Sequence, residues 1–255
     1  MKIATWNVNS LKVRLSHVLD WLATNQPDVL CLQETKQEDG QFPLAALQQA
    51  GYQAVFSGQK TYNGVAIISK LAAIEVVYGL PDFADEQRRL IAATIQGVRV
   101  ICIYVPNGQS VDSDKYRYKL AWLAALQEWL KRELLHYPKL ALLGDYNIAP
   151  EDRDVYDPKL WVGNVLVSEP ERAAFHALGQ LGLHDSFRLF EQPEKSYSWW
   201  DYRMMAFRRN MGLRIDHILL STPLVQGCTG CIIDRAPRKL ERPSDHTPVM
   251  AELAS

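Results

Sequence analysis

The apolar positions along the chain change period from segment to segment. Residues 28–33, 65–69 and 140–143 are short, nearly continuous apolar runs, which predict buried strands. Residues 52–56 and 74–78 read as further strands, and 90–95 with 98–105 flank a Gln96-Gly97 turn as a hairpin. Helical spacing appears instead in Leu11, Leu15, Val18, Leu19 and Leu22, after Ser10 as a candidate cap and before Pro27. The same spacing over 115–136 (Leu120, Leu123, Leu126, Leu130, Leu134) predicts the longest helix, with shorter ones over 43–50 and 170–181. Strands at 215–220 and 247–253 complete the set. Some strands adjoin in sequence and others are joined by helices, so the pattern predicts an α/β protein with mixed sheets under helical layers.

Composition narrows this little further. With 255 residues, 47% of them hydrophobic, and no break in composition, the chain is expected to form one domain over 1–255. No apolar stretch approaches the length of a membrane span, and residues 1–5 enter a strand without signal-peptide features, so a cytoplasmic monomer is expected. Of four cysteines, Cys31 and Cys102 lie in strand runs, and Cys228-x-x-Cys231 lacks the second pair a zinc site needs. A net charge of −1 gives no global sign of a polyanion partner. The cations nevertheless cluster, in Arg203, Arg208, Arg209 and Arg214 and again in Arg235, Arg238, Lys239 and Arg242.

The candidate chemistry sits where apolar runs end. Asn7 and Glu34 follow the first two strands of a strand–helix–strand unit, at the edge where α/β proteins gather ligand groups. Glu34 is a candidate metal carboxylate, although a strand-end ion pair with Lys36 would explain it equally. Asp145 and Asn147 follow 140–143 through Gly144, which leaves room for close approach; an Asx turn is the plain alternative. Asp216 lies inside a strand and needs a partner, which His246, in the Ser244-Asp245-His246 loop, can be. Phosphodiester hydrolysis needs a cation against the phosphate, an activated water and help for the leaving oxygen, and oxygen ligands of this kind select Mg²⁺ or Mn²⁺. Trp122 and Trp129, seven apart on the long helix, are core positions, and His17, His136, His176 and His184 show no partner pattern.

Jointly, Thr5-Trp6-Asn7-Val8-Asn9-Ser10, Leu32-Gln33-Glu34-Thr35-Lys36, Tyr104-Val105-Pro106-Asn107-Gly108, Gly144-Asp145-Tyr146-Asn147, Ser198-Trp199-Trp200-Asp201-Tyr202-Arg203, Gly212-Leu213-Arg214-Ile215-Asp216 and Ser244-Asp245-His246 resemble the exonuclease III and abasic-site endonuclease branch of the endonuclease/exonuclease/phosphatase superfamily, over essentially the whole chain. The resemblance implies a four-layer αββα sandwich, with two packed mixed sheets and helices on both outer faces. It implies that Glu34 ligates the metal with Asn7 and Asp245 near it, and that Asp216 and His246 form an acid–histidine pair. Asp145 would handle the proton of the attacking water or of the leaving 3′ oxygen, while Asn147 and Tyr104 contact the phosphate.

The substrate implied is double-stranded DNA with abasic sites or 3′ ends. Trp199, Trp200, Leu213 and Ile215 would then wall a pocket for an extruded sugar. Arg203 would enter the duplex or touch phosphate, and Tyr62 and Asn63 would contact the backbone. Leu166 is expected to crowd that pocket, and Tyr156 stands where relatives carry other DNA-inserting groups. Two other readings are open: an enzyme for a phospholipid phosphodiester, and a catalytically silent nucleic-acid- or protein-binding regulator. The tryptophan–arginine block at 199–214 speaks against the first and the intact set of polar residues against the second.

Overall fold

The computed structural model describes residues 1–254. Its strands are β1 (Lys2–Asn7), β2 (Val29–Gln33), β3 (Gln53–Ser57), β4 (Val65–Ser69), β5 (Ile74–Tyr78), β6 (Leu90–Ile95), β7 (Val98–Tyr104), β8 (Leu140–Asp145), β9 (Leu183–Asp185), β10 (Asp216–Ser221), β11 (Cys228–Ile233) and β12 (Val249–Leu253). The α-helices are α1 (Leu11–Asn25), α2 (Leu44–Gln49), α3 (Asp114–His136), α4 (Pro158–Trp161), α5 (Glu169–Gln180) and α6 (Thr222–Val225). Two six-stranded sheets form, in the orders β11-β12-β1-β2-β4-β3 and β5-β6-β7-β8-β10-β9.

Each sheet is antiparallel apart from one parallel pair, β1 with β2 and β7 with β8. A parallel pair needs a crossover, and α1 and α3 supply the two. Strand period then decides the layers. Ile3, Val29, Cys31 and Ile67 point inward and meet Ala93, Val100, Cys102 and Leu143 of the other sheet in one core. Their neighbours Ala4, Trp6, Leu30 and Leu32 point the other way and pack beneath Leu11, Val18 and Leu22 of α1 and Leu47 of α2. On the far side Ile101, Ile103 and Leu142 are covered by Trp122, Leu126 and Leu130 of α3 and Phe175 and Leu178 of α5. Helix, sheet, sheet, helix is the αββα sandwich, and it explains why the strands read as continuous apolar runs: both faces are covered.

One local expectation is corrected, and one strand the sequence pattern did not mark appears. Ser10 precedes α1, but its side chain makes no capping hydrogen bond; its φ is 92°, and its N–H donates to the Glu34 carbonyl at 2.8 Å. The start of α1 is therefore fastened to the end of β2 instead of capping itself. The Cys-x-x-Cys segment is β11, an edge strand, with a bulge between Cys228 and Gly230 and both thiols free. Thr229 and Gly230 interrupt its apolar positions and leave only the short Cys231–Ile233 run, too little to mark a strand. Among the described residues no helix is long and apolar enough to cross a membrane.

Candidate active site

The two crossover units open at one edge of the sandwich. β1 delivers Asn7, β2 runs on into Glu34, and β7 and β8 end at Tyr104 and Asp145. In the second sheet Tyr104 stands opposite Asp145, and Asp145 opposite Asp216, so strand register alone places three of the candidate residues in a row. Gly144 is required for that row. A Cβ there would sit 1.9 Å from the Ile103 carbonyl of the adjoining strand. Glu34 and Asn147 hold φ of 53° and 49°, a left-handed backbone that residues other than glycine adopt at some expense.

The side chains meet around Asp145. Asn7 Nδ2 donates to Glu34 Oε1 and to Asp145 Oδ2, both at 2.8 Å. Asp145 Oδ1 accepts the Asn147 N–H at 2.9 Å, which is the Asx turn its spacing suggested, and His246 Nε2 lies 3.6 Å from Oδ2. The other ring nitrogen of His246 is 2.9 and 3.1 Å from the two oxygens of Asp216. Glu34 also pairs with Lys36 at 2.8 Å, so the ion pair and the clustered site are both real. Asn107, for which the sequence suggests no role of its own, donates to Asn147 Oδ1 at 3.0 Å, while Asn147 Nδ2 donates to the Val105 carbonyl at 3.0 Å.

Burial and crowding set the charges. Burial raises the Asp145 carboxyl, the Asp216 and Glu34 carboxylates add to this, and His246 and Asn7 only partly offset it, leaving it pushed up to about 7. Burial alone would depress His246, but Asp216 and Asp145 outweigh it and raise the imidazole to about 10. His246 is thus held as a proton donor, fixed at Nδ1 by Asp216. Burial, with Glu34 and Asp145 nearby, likewise pushes the Tyr104 phenol well up, so it stays protonated.

Glu34, Asp145 and His246 present ligand atoms that all lie within 4.8 Å of one another. With His246 committed to a proton, the available donors are carboxylate oxygens, a set that suits a hard divalent cation. In its present orientation Asn7 turns its Nδ2 toward the carboxylates, and its own Oδ1 accepts the Asn9 N–H at 2.9 Å. Asp245 stands one step away: its oxygens accept from Asn9 Nδ2 and Trp199 Nε1, each at 3.0 Å. The cluster thus contains Asp145, and Asp245, which the family resemblance implies to be near the metal, lies outside it.

The model of the endonuclease/exonuclease/phosphatase family matches residues 4–246. The chain belongs to that family. Exodeoxyribonuclease III of Haemophilus influenzae is 36% identical to it, over 99% of this chain and all of the relative. Among solved structures, the 3′ phosphatase NExo from Neisseria, bound to product DNA hairpin, is 51% identical with a TM-score of 0.98. An AP endonuclease from Archaeoglobus fulgidus is 42% identical with a TM-score of 0.97, and both superpose over the whole of both chains.

Two clefts flank this cluster of side chains. One, of about 790 Å³, runs from Tyr104 past Asn63, Tyr62, Arg89 and Lys115. The other, of about 270 Å³, is lined by Tyr156, Trp161, Trp199, Arg203 and Met204. Beneath the second cleft Leu166, Leu213, Ile215, Val155 and Ala149 pack into one apolar cluster that includes Trp199. Trp200 departs from expectation. It is fully buried, its ring edge-on to Phe207 at 5.0 Å, and it lies so close to Gly212 that a Cβ there would meet its Nε1 at 2.5 Å. Trp200 supports the loop, and only Trp199 reaches the cleft.

The arginine clusters also divide. Arg208 and Arg209 are exposed, and Arg203 is exposed but chelates Asp201 at 2.6 and 2.9 Å. Arg238 is buried against Phe207, donating to the Ser244 carbonyl at 2.8 Å. Arg214 is buried between Asp154 and Asp185 and donates to His217 Nδ1 at 3.0 Å. His217 Nε2 in turn donates to the Ile148 carbonyl at 2.9 Å, so this network buttresses the loop that carries Asn147.

Burial and the Arg214 charge depress His217 to about 4, against an ordinary value of 6.5. A depressed histidine contributes stability that is present above 6.5 and lost as pH falls toward 4. Between those limits His217→Gln, which can still accept from Arg214 and donate to Ile148, is expected to lose roughly 3 kcal/mol less than the parent. Urea unfolding across that pH range measures it, and parallel stability curves for the two proteins would refute it.

Proposed function

We propose that this protein is a DNA-repair nuclease that hydrolyses phosphodiesters at 3′ ends and 5′ to abasic sites, acts as a monomer, and uses Mg²⁺ or Mn²⁺ held at Glu34 with Asn7 and Asp245 close by. The observation that carries it is the buried row Asp145–His246–Asp216, joined through Asn7 to Glu34 and lying beside two clefts with exposed aromatic and basic groups. Exonuclease, 3′ phosphatase and abasic-site endonuclease relatives support the same range of substrates.

A bound cation offsets phosphate charge and eases its growth in the transition state. The chain's own groups do the rest. Asp145, anchored by the Asn147 N–H, takes the proton from the attacking water as its oxygen bonds phosphorus, and the P–O3′ bond breaks on the opposite side with the departing oxygen taking a proton from solvent. His246, kept protonated by Asp216, donates from Nε2 to a phosphate oxygen. Asn147 and the protonated Tyr104 supply further donors to the phosphate. Tyr62, Asn63 and Arg203 contact the DNA backbone along the clefts, while Trp199 and Tyr156 face the sugar.

Leu166 sets the balance between substrates. It holds φ of 77°, where glycine is at ease and leucine is not, and its side chain is packed among Leu213, Ile215 and Trp199. A leucine kept in that backbone fills space an extruded abasic sugar would use. A magnesium-dependent assay with two end-labelled duplexes, one with an internal abasic analogue and one with a recessed 3′ end, tests the reading. Faster degradation of the 3′ end is expected, and Leu166→Gly should raise abasic incision by about tenfold. Unchanged incision would remove Leu166 from the pocket, and cleavage of neither duplex with binding retained would favour a silent DNA-binding scaffold.

A further inference from the structure

Lys119 of α3 and Glu171 of α5 form an ion pair with no exposed surface on either side chain. The donors of Lys119 are spent entirely inside the protein: Nζ donates to Glu171 Oε1, to the Asn147 carbonyl at 2.7 Å and to the Asn107 carbonyl at 3.1 Å. Glu171 is equally engaged. Oε1 also accepts the Leu166 N–H at 3.0 Å, and Oε2 accepts the Ser168 N–H at 3.1 Å and the Ser168 hydroxyl, which in turn contacts Tyr116 OH at 2.6 Å. A helix-capping box at the start of α5 has thereby acquired a second task. Three loops end on this pair, the one with Asn107, the one with Asn147 and the one with Leu166, and two further bonds tie them pairwise, Asn107 Nδ2 to Asn147 Oδ1 at 3.0 Å and the Ala149 N–H to the Leu166 carbonyl at 2.8 Å.

Resting on the nuclease reading above, we infer that Lys119 and Glu171 are positioning residues that fix the phosphate side of the site, Asn107 and Asn147, against the sugar side, Leu166. A buried pair is poor evidence for stability in itself, because apolar residues of similar size often serve as well. What they cannot reproduce is a cation holding two loop carbonyls while its counter-ion holds an amide of a third loop. Asn147 reaches Asp145 through its N–H, so a slack Asn147 loosens the group that takes the water's proton.

The test is Lys119→Met combined with Glu171→Leu, which removes both charges and keeps the volume. Amide hydrogen exchange is read at Asn147, whose N–H touches neither altered side chain, and at Leu142 in the middle of β8. Turnover is read at the recessed 3′ end. Exchange at Asn147 should quicken at least about tenfold with Leu142 unchanged, and kcat should fall at least about tenfold with KM nearly constant. Unchanged Asn147 exchange, unchanged kcat, or equal loss of protection at both amides would overturn the inference, the last marking a merely structural pair. Should the double variant not fold, Lys119→Met alone, which releases the Asn107 and Asn147 carbonyls while Glu171 keeps the Leu166 and Ser168 donors, is judged by the same criteria. Absence of cleavage by the unaltered protein would defeat the nuclease reading instead, and Asn147 exchange alone would then decide the coupling.

Discussion

Asp145→Asn is expected to lower kcat at a recessed 3′ end by roughly 10³-fold or more, while DNA affinity changes by no more than a few-fold. The substitution is close to isosteric and keeps an oxygen for the Asn147 N–H, so the turn after β8 survives. It removes the capacity to accept a proton. Stability should move the opposite way. The carboxyl is raised to about 7 by burial and by the neighbouring Asp216, so its contribution to stability is present below the ordinary value of 3.8 and lost as pH rises through 7. At pH 8 the metal-free variant should therefore unfold at a higher temperature than the parent, the usual opposition between a strained site and a stable fold. Single-turnover cleavage, a binding titration and a thermal melt measure the three effects. A rate within tenfold of the parent would take proton transfer away from Asp145.

The sequence pattern exposes whatever is local. Residues 140–143 are apolar and end in Gly-Asp, and β8 delivers Asp145 as that run implies; likewise 28–33 leads to Glu34. The apolar runs imply mixed sheets under helices but not how many layers stack; the four-layer count is legible only through the family resemblance. Long-range pairing is not legible in the same way. Arg214 reads as a cation available to DNA, yet it is buried against Asp154, 60 residues away, because the partner carboxylate lies in a loop with no pattern of its own. Trp200 and Trp199 are indistinguishable by type, and only the antiparallel bridges of Trp199 with Leu213 and His246 decide which ring turns inward. Lys119 did leave a trace. It falls at helical spacing with Tyr116, Leu123 and Leu126, a charge on the buried stripe of α3, while Ser168-x-x-Glu171 reads as a capping box and carries no sign that Glu171 is its partner. A lysine on an apolar stripe demands a counter-ion, and the spacing of residues along α3 is enough to raise that demand.

Glu34→Ala is expected to abolish hydrolysis at low magnesium, by about 10³-fold or more, and to leave DNA binding measurable. Glu34 is a candidate ligand tied into the centre from two sides: Asn7 bridges it to Asp145, and Lys36 neutralises it at 2.8 Å. Its side chain keeps 17% of its surface, enough for a solvated cation to approach, whereas Asp145 keeps 1%. Removing Glu34 leaves Lys36 without its carboxylate but still within reach of Asn9, so the positive charge facing a phosphate is not lost and binding persists. Turnover should recover partly as magnesium is raised, because Asp145 and Asp245 still offer oxygen close to the vacated position. Titrating the rate against magnesium for parent and variant, beside DNA binding without the metal, separates the roles. A variant that loses binding and turnover in equal measure would make Glu34 a strut of the β2 terminus, which its left-handed backbone and its carbonyl bond to Ser10 would also explain. A variant that binds normally, and whose rate climbs steeply with added magnesium, would place the ion at this carboxylate.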